Sequence, residues 1–226
     1  MTLQQLHDRL LSWATAEERK DELLAAKREH FERHGEPHEE DRSYEVRLNA
    51  MLDHYLYDFR TAGGTGTTLE RFLEAEGRAL SPEELAAFRE LARGVHGLFE
   101  VRKIADGKLR LRDVFAGKDL DVTERRNVAG LDKGDLLEAR LLPFGGELFF
   151  SGAFLYHPRE VRKAILAEVK RLKKEAGRGE TPDVAAFLGV LARMAMKLER
   201  YRNVRLESIY DFSPDARTAM TPRPGR

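Results

Sequence analysis

The chain has 226 residues, and its 39 Lys and Arg balance 39 Asp and Glu, so the formal net charge is zero. Charged residues make up 35% and apolar residues 42%, yet apolar periodicity is strong along most of the chain, which excludes general disorder. Cysteine is absent, which removes disulfides, thiolate metal sites and cysteine nucleophiles together and points to a reducing compartment.

The zero total hides a sorting of charge. Residues 1–100 carry 13 basic against 21 acidic side chains, and residues 101–226 carry 26 against 18. Such asymmetry points to a partner, to an internal docking surface, or to both. Met1 to Trp13 has neither a basic start nor an apolar stretch, so it does not read as a signal peptide. No run approaches the roughly 18 apolar residues of a membrane span. The expectation is a cytoplasmic protein with no membrane association.

The first hundred residues read as helices over 3–13, 16–34, 42–59, 68–77 and 82–93. Thr2-x-x-Gln5, Thr15-x-x-Glu18, Thr67-x-x-Glu70 and Ser81-x-x-Glu84 all fit the capping box, in which a hydroxyl and a later side chain satisfy first-turn amides reciprocally. Gly35-Glu36-Pro37 breaks the second helix from the third, and Thr61 to Gly66 is a flexible loop. From Gly97 the period changes to two. Phe99 and Val101 alternate with charged residues, Asp106-Gly107 signals a hairpin, and Leu109 and Leu111 alternate with Lys108, Arg110 and Arg112. Further strands are predicted at 119–123, 136–142, 147–150 and 153–156, with Pro143 ending one and Ser151-Gly152 marking a bend or bulge. Five or six short strands joined by tight turns predict a small antiparallel barrel whose inward set includes Phe99, Val101, Leu109, Leu111, Leu137 and Leu141. After Pro158 the helical period returns in two segments, the second carrying Val184, Phe187, Leu188, Leu191 and Met194. The fold class is therefore α+β. Its divisions are an acidic helical region at 1–95, a barrel at 96–157, a basic helical hairpin at 158–212 and a loose tail at 213–226.

Catalytic motifs are missing. The loop from Gly63 to Thr68 has no lysine and follows a helix, so it is a capped linker rather than a P-loop. No serine sits in a nucleophile elbow. His30 and His34 share helical spacing, but Phe31 stands where a zinc protease needs glutamate, and Gly35 and Pro37 end the helix before His38; the trio reads as a polar helix end. His54 lies beside aromatics with no nucleophile in view and reads as a structural or surface residue. The expectation is no enzyme, no cofactor and no metal.

Two basic surfaces remain. Lys108, Arg110 and Arg112 project from one strand face, and Arg125 and Arg126 lie in a nearby loop, an arrangement that would suit a phosphate backbone. Asp113, Asp119, Asp121 and Glu124 dilute that field. Arg159 to Arg178 carries eight basic and three acidic residues, with Lys170, Arg171, Lys173 and Lys174 around an apolar stripe. Its cheapest partner is the acidic N-terminal region, in the same chain or a second copy.

Phe31 to Pro37, Leu48 to Phe59, Gly66 to Leu73, Leu111 to Val114 and Leu131 to Leu137 together resemble a group of uncharacterised bacterial proteins, some of which end in a SEC-C zinc module. With no cysteine, this chain carries no such module. The resemblance implies helices leading into a small barrel and carries no activity over. A PilZ-type reading fails for want of its Arg-x-x-x-Arg and Asp/Asn-x-Ser-x-x-Gly motifs. The sequence thus favours a non-catalytic protein-interaction or regulatory module, with nucleic-acid binding by the barrel's basic face as the alternative.

Overall fold

The computed structural model describes residues 1–64, 66–105, 107–124, 130–177, 180–201 and 203–216. Asp106, Arg125, Arg126, Arg178 and the tail from 217 onward, all singled out above, lie outside the described residues.

The N-terminal helices are α1 (Leu3–Ala14), α2 (Lys20–His34), α3 (Tyr44–Tyr57), α4 (Thr68–Glu76) and α5 (Pro82–Leu91). Three of the four capping boxes form, at Thr2–Gln5, Thr67–Glu70 and Ser81–Glu84. The fourth does not. α1 runs on to Ala14, so the Thr15 hydroxyl donates to the carbonyl of Leu11 at 2.9 Å, and a 3-10 turn over Glu17–Arg19 leads into α2. These helices bury Leu6, Leu10, Tyr55, Phe72 and Phe88 in one apolar cluster.

The strands are β1 (Val95–Ala105), β2 (Lys108–Asp113), β3 (Asp119–Thr123), β4 (Leu136–Phe144) and β5 (Glu147–His157). They close into a barrel-like ring in the order β1-β2-β3-β5-β4. The wholly antiparallel sheet expected above needs one correction: β3 and β5 run parallel, through Val122↔Leu148 and Thr123↔Phe149. Parity forces this, because strand directions cannot alternate all the way round a closed ring of five. Pro143 does not end β4, which continues to Phe144 at the hairpin with β5. Glu90 locks that hairpin, its carboxylate accepting from the amides of Gly145 and Gly146 at 2.9 and 3.0 Å. The expected inward residues Phe99, Val101, Leu109, Leu111, Leu137 and Leu141 all lie in the barrel core with Val122 and Phe150.

Helices α6 (Arg162–Ala176), α7 (Val184–Arg200) and the short α8 (Leu206–Ile209) follow. Ile165, Val169, Leu188 and Leu191 pack with Leu98 and Leu136 on the outside of the ring. The opposed ends of the chain do meet, but through α7 rather than the basic α6. Asp41 pairs with Arg200, and Arg193 donates to the carbonyl of Glu32 at 3.2 Å. Arg200 holds the Asp41 carboxyl down to about 2. Two glycines permit this contact. Gly35 ends α2 at φ +87°, and a Cβ on Gly189 of α7 would lie 2.8 Å from the carbonyl oxygen of Arg33.

Candidate functional site

The outward residues of β4 cross the molecule from one helical cluster to the other. Leu136 packs with the C-terminal helices and Leu142 with the N-terminal ones. Between them stand Glu138 and Arg140, 4% and 3% exposed, under α2 and α3. This is a seam where two apolar layers meet the ring, and it is filled with polar groups.

From α2 come His30 and His34, stacked with ring centroids 4.1 Å apart. From α3 come Arg47, Asp53 and His54, and Asp58 follows at its end. β1 adds His96, whose Nε2 lies 3.1 Å from Glu138 Oε1. β5 adds Ser151, which donates to Asp53, and His157, whose Nδ1 is 3.2 Å from the hydroxyl of Tyr210. Ser151 and Gly152 sit in an irregularity of β5 opposite Arg140, with Gly152 at φ +113°. The bulge expected there is present, and it turns Ser151 toward α3. Arg140 pairs with Asp58 and lies over the ring of Tyr57 at 5.2 Å.

Several of these groups are only half satisfied. Among the described residues, no hydrogen-bond partner reaches the buried atoms His30 Nδ1, His34 Nε2, Glu138 Oε2, Arg140 Nε and His157 Nε2, while Arg47 Nη2 and His54 Nε2 have only the more distant carboxylates of Glu199 at 3.8 Å and Glu29 at 3.6 Å. Buried polar atoms are almost always bonded, and each orphan costs about 1–3 kcal/mol. His30, His34, His54, Glu138 and Arg140 line one cavity of about 70 Å³ with His96. One water needs roughly 10–15 Å³ on this measure, and sites for whole metabolites run to about 300–1,000 Å³. The cavity therefore suits a small polar group.

Burial sets its electrostatics. It pushes His30 and His34 down, and takes His54 and His157 to about 4. These imidazoles are neutral at pH 7. Burial also raises Asp53, against the pull of Arg140 and the Ser151 hydroxyl. Burial raises Glu138 too, but the hydrogen bond and charge of His96 outweigh it and hold that carboxyl below its usual value. The cavity thus sets the Glu138 carboxylate and the Arg140–Asp58 ion pair beside the neutral rings of His30, His34 and His54. Among the described residues no three His, Asp or Glu side chains are disposed to hold a metal ion.

The surfaces singled out from sequence lie elsewhere. Lys108 and Arg110 are exposed on β2 and Arg112 is half-exposed. Each has an acid beside it: Glu147 at 3.3 Å, Asp121 at 2.8 Å and Asp119 at 3.0 Å. On α6, Lys170 and Lys174 are exposed, Lys173 donates to the carbonyl of Val114 at 3.0 Å, and Arg171 is tied to Glu168 and Glu175 of its own helix. The seam itself was missed. His30 and His34 form a buried stack rather than a polar helix end, His38 alone is exposed, and a convergent polar site exists where none was expected. The signal that marks it is Leu136-Leu137-Glu138-Ala139-Arg140-Leu141-Leu142, where the outward positions are charged in the middle and apolar at both ends.

Among the described residues no helix is long and apolar enough to cross a membrane. No curated protein and no solved structure matches the chain. A family model matches residues 1–190, a span that holds the whole ring and every side chain lining the cavity, and by that match the chain belongs to the family of unknown function DUF7986.

Proposed function

We propose that this protein is a non-catalytic regulatory module of the bacterial cytoplasm, and that the polar seam is its ligand site. The observation that carries the reading is the convergence of unpartnered, buried polar atoms on one small cavity between the helices and the ring. A fold retains such costs where a ligand offsets them. The site is shared between α2, α3 and β4, so occupancy would tighten the helices on the ring. That change is what a partner would read. Lys170 and Lys174 on α6 offer an acidic partner, or a second copy of the chain, an exposed basic face. The nucleic-acid alternative draws less support, because the acids beside Lys108, Arg110 and Arg112 cancel much of the field that a phosphate backbone needs.

The test is thermal unfolding of the full chain at pH 7 against a panel of small polar metabolites: amino acids, amines, carboxylates, phosphates and nucleobases. At 100 times its dissociation constant a ligand adds about 2.7 kcal/mol, which for a chain of this size raises the midpoint by about 5–10 °C. A panel in which no compound moves the midpoint overturns the reading.

A further inference from the structure

Resting on the reading of the cavity as a ligand site, we infer that it takes the zwitterionic head group of an α-amino acid. Glu138 and Arg140 carry opposite charges two residues apart on the outer face of β4, and each keeps one atom unpartnered and buried: Glu138 Oε2, an acceptor, and Arg140 Nε, a donor. Both line the same cavity. Residues i and i+2 of a strand stand roughly 6.5–7 Å apart. An ammonium and a carboxylate on one carbon, with a charge-assisted bond of about 2.7–2.9 Å at each end, span a similar distance.

The neighbours fit this assignment. Arg140 is tied to Asp58 through Nη2, and the other oxygen of Glu138 to His96, so both side chains are held in place. His34 donates through Nδ1 to the carbonyl of His30 at 3.1 Å, which fixes its tautomer and leaves Nε2 as an acceptor. A second acceptor beside Glu138 suits an ammonium, which has three protons to give.

His96 lines both this cavity and a groove of about 440 Å³ bounded by Val95, Asp113, Phe115, Lys173 and Thr181. The cavity has room for a head group and the groove for a side chain.

The experiment is calorimetric titration and thermal unfolding of the full chain at pH 7 with the common L-amino acids, each at up to 10 mM. Methylamine and acetate serve as the two half-ligands. At least one amino acid should bind at least tenfold more tightly than either half, and Glu138→Gln and Arg140→Gln should each weaken it tenfold or more. An amine or a carboxylate binding as well as any amino acid overturns the inference. So does binding of another metabolite in the panel while all amino acids fail, and in that case the ligand-site reading survives. If no compound binds, both fall. The comparison of whole with half ligands uses the parent protein alone, so it decides the question even if a variant fails to fold.

Discussion

Two stretches of the ring follow one pattern and meet opposite fates. On β2, Lys108, Arg110 and Arg112 alternate with core leucines, and on β4, Glu138 and Arg140 alternate with core Leu137, Ala139 and Leu141. The β2 charges face solvent and lie beside cross-strand acids. The β4 charges lie under two helices, and each keeps an atom with no partner. The number of charges is greater on β2, but the energy is concentrated on β4. Exposed pairs are worth little because water solvates each ion whether or not its partner is present. A buried group has only what the fold supplies, so each missing bond is a cost.

The largest expected effect comes from acid. His54 and His157 are held at about 4 by burial, and His30 and His34 are lowered as well. In the unfolded chain these rings protonate near pH 6.5, so between about pH 6.5 and 4 the unfolded state binds more protons and stability falls as pH falls. A displacement from 6.5 to about 4 is worth roughly 3 kcal/mol per histidine. Asp53 opposes the trend, since its raised pKa favours the folded state as pH falls. The histidines outnumber it, so urea midpoints should drop steeply from pH 7 to 4.5. A flat profile would mean that the rings are already solvated.

Next comes the barrel core. Leu111→Ala should cost about 2–5 kcal/mol by chemical denaturation, because Leu111 is fully buried among Phe99, Val101 and Val122. Smaller is the contact between α2 and α7. Gly189→Ala places a methyl against the Arg33 carbonyl and should cost about 1–3 kcal/mol, with the helices forced apart. The smallest effect belongs to the β2 face. Arg110→Glu should leave the unfolding midpoint in place, and electrophoretic titration of the parent should show no shift of single-stranded DNA at tens of micromolar protein in low salt. A clear shift that Arg110→Glu abolishes would restore the nucleic-acid alternative.

Much of the architecture was legible from residue order alone. The capping hydroxyls at Thr2, Thr67 and Ser81 mark helix starts, and alternation around Leu109 and Leu111 gives strand and inward face together. Such signals are local. The parallel β3–β5 contact was not legible, because it follows from ring closure and not from any residue in β3 or β5. The seam was hidden for a related reason. Alternation shows that Glu138 and Arg140 point out of the barrel, but only tertiary structure shows that α2 and α3 cover them. A histidine at a helix end reads as polar and solvated until the strand beneath it is in place.

A seam kept for binding holds its polar groups at the expense of stability. His30 is the sharpest case, since among the described residues its Nδ1 has no hydrogen-bond partner and the residue is 3% exposed. Urea unfolding of the parent and His30→Leu at pH 7 gives the answer. If the ring is retained for binding, leucine removes a desolvation penalty and the unfolding free energy should rise by about 1–3 kcal/mol. A fall of similar size would show that His30 holds the fold together, and the seam would then be structural.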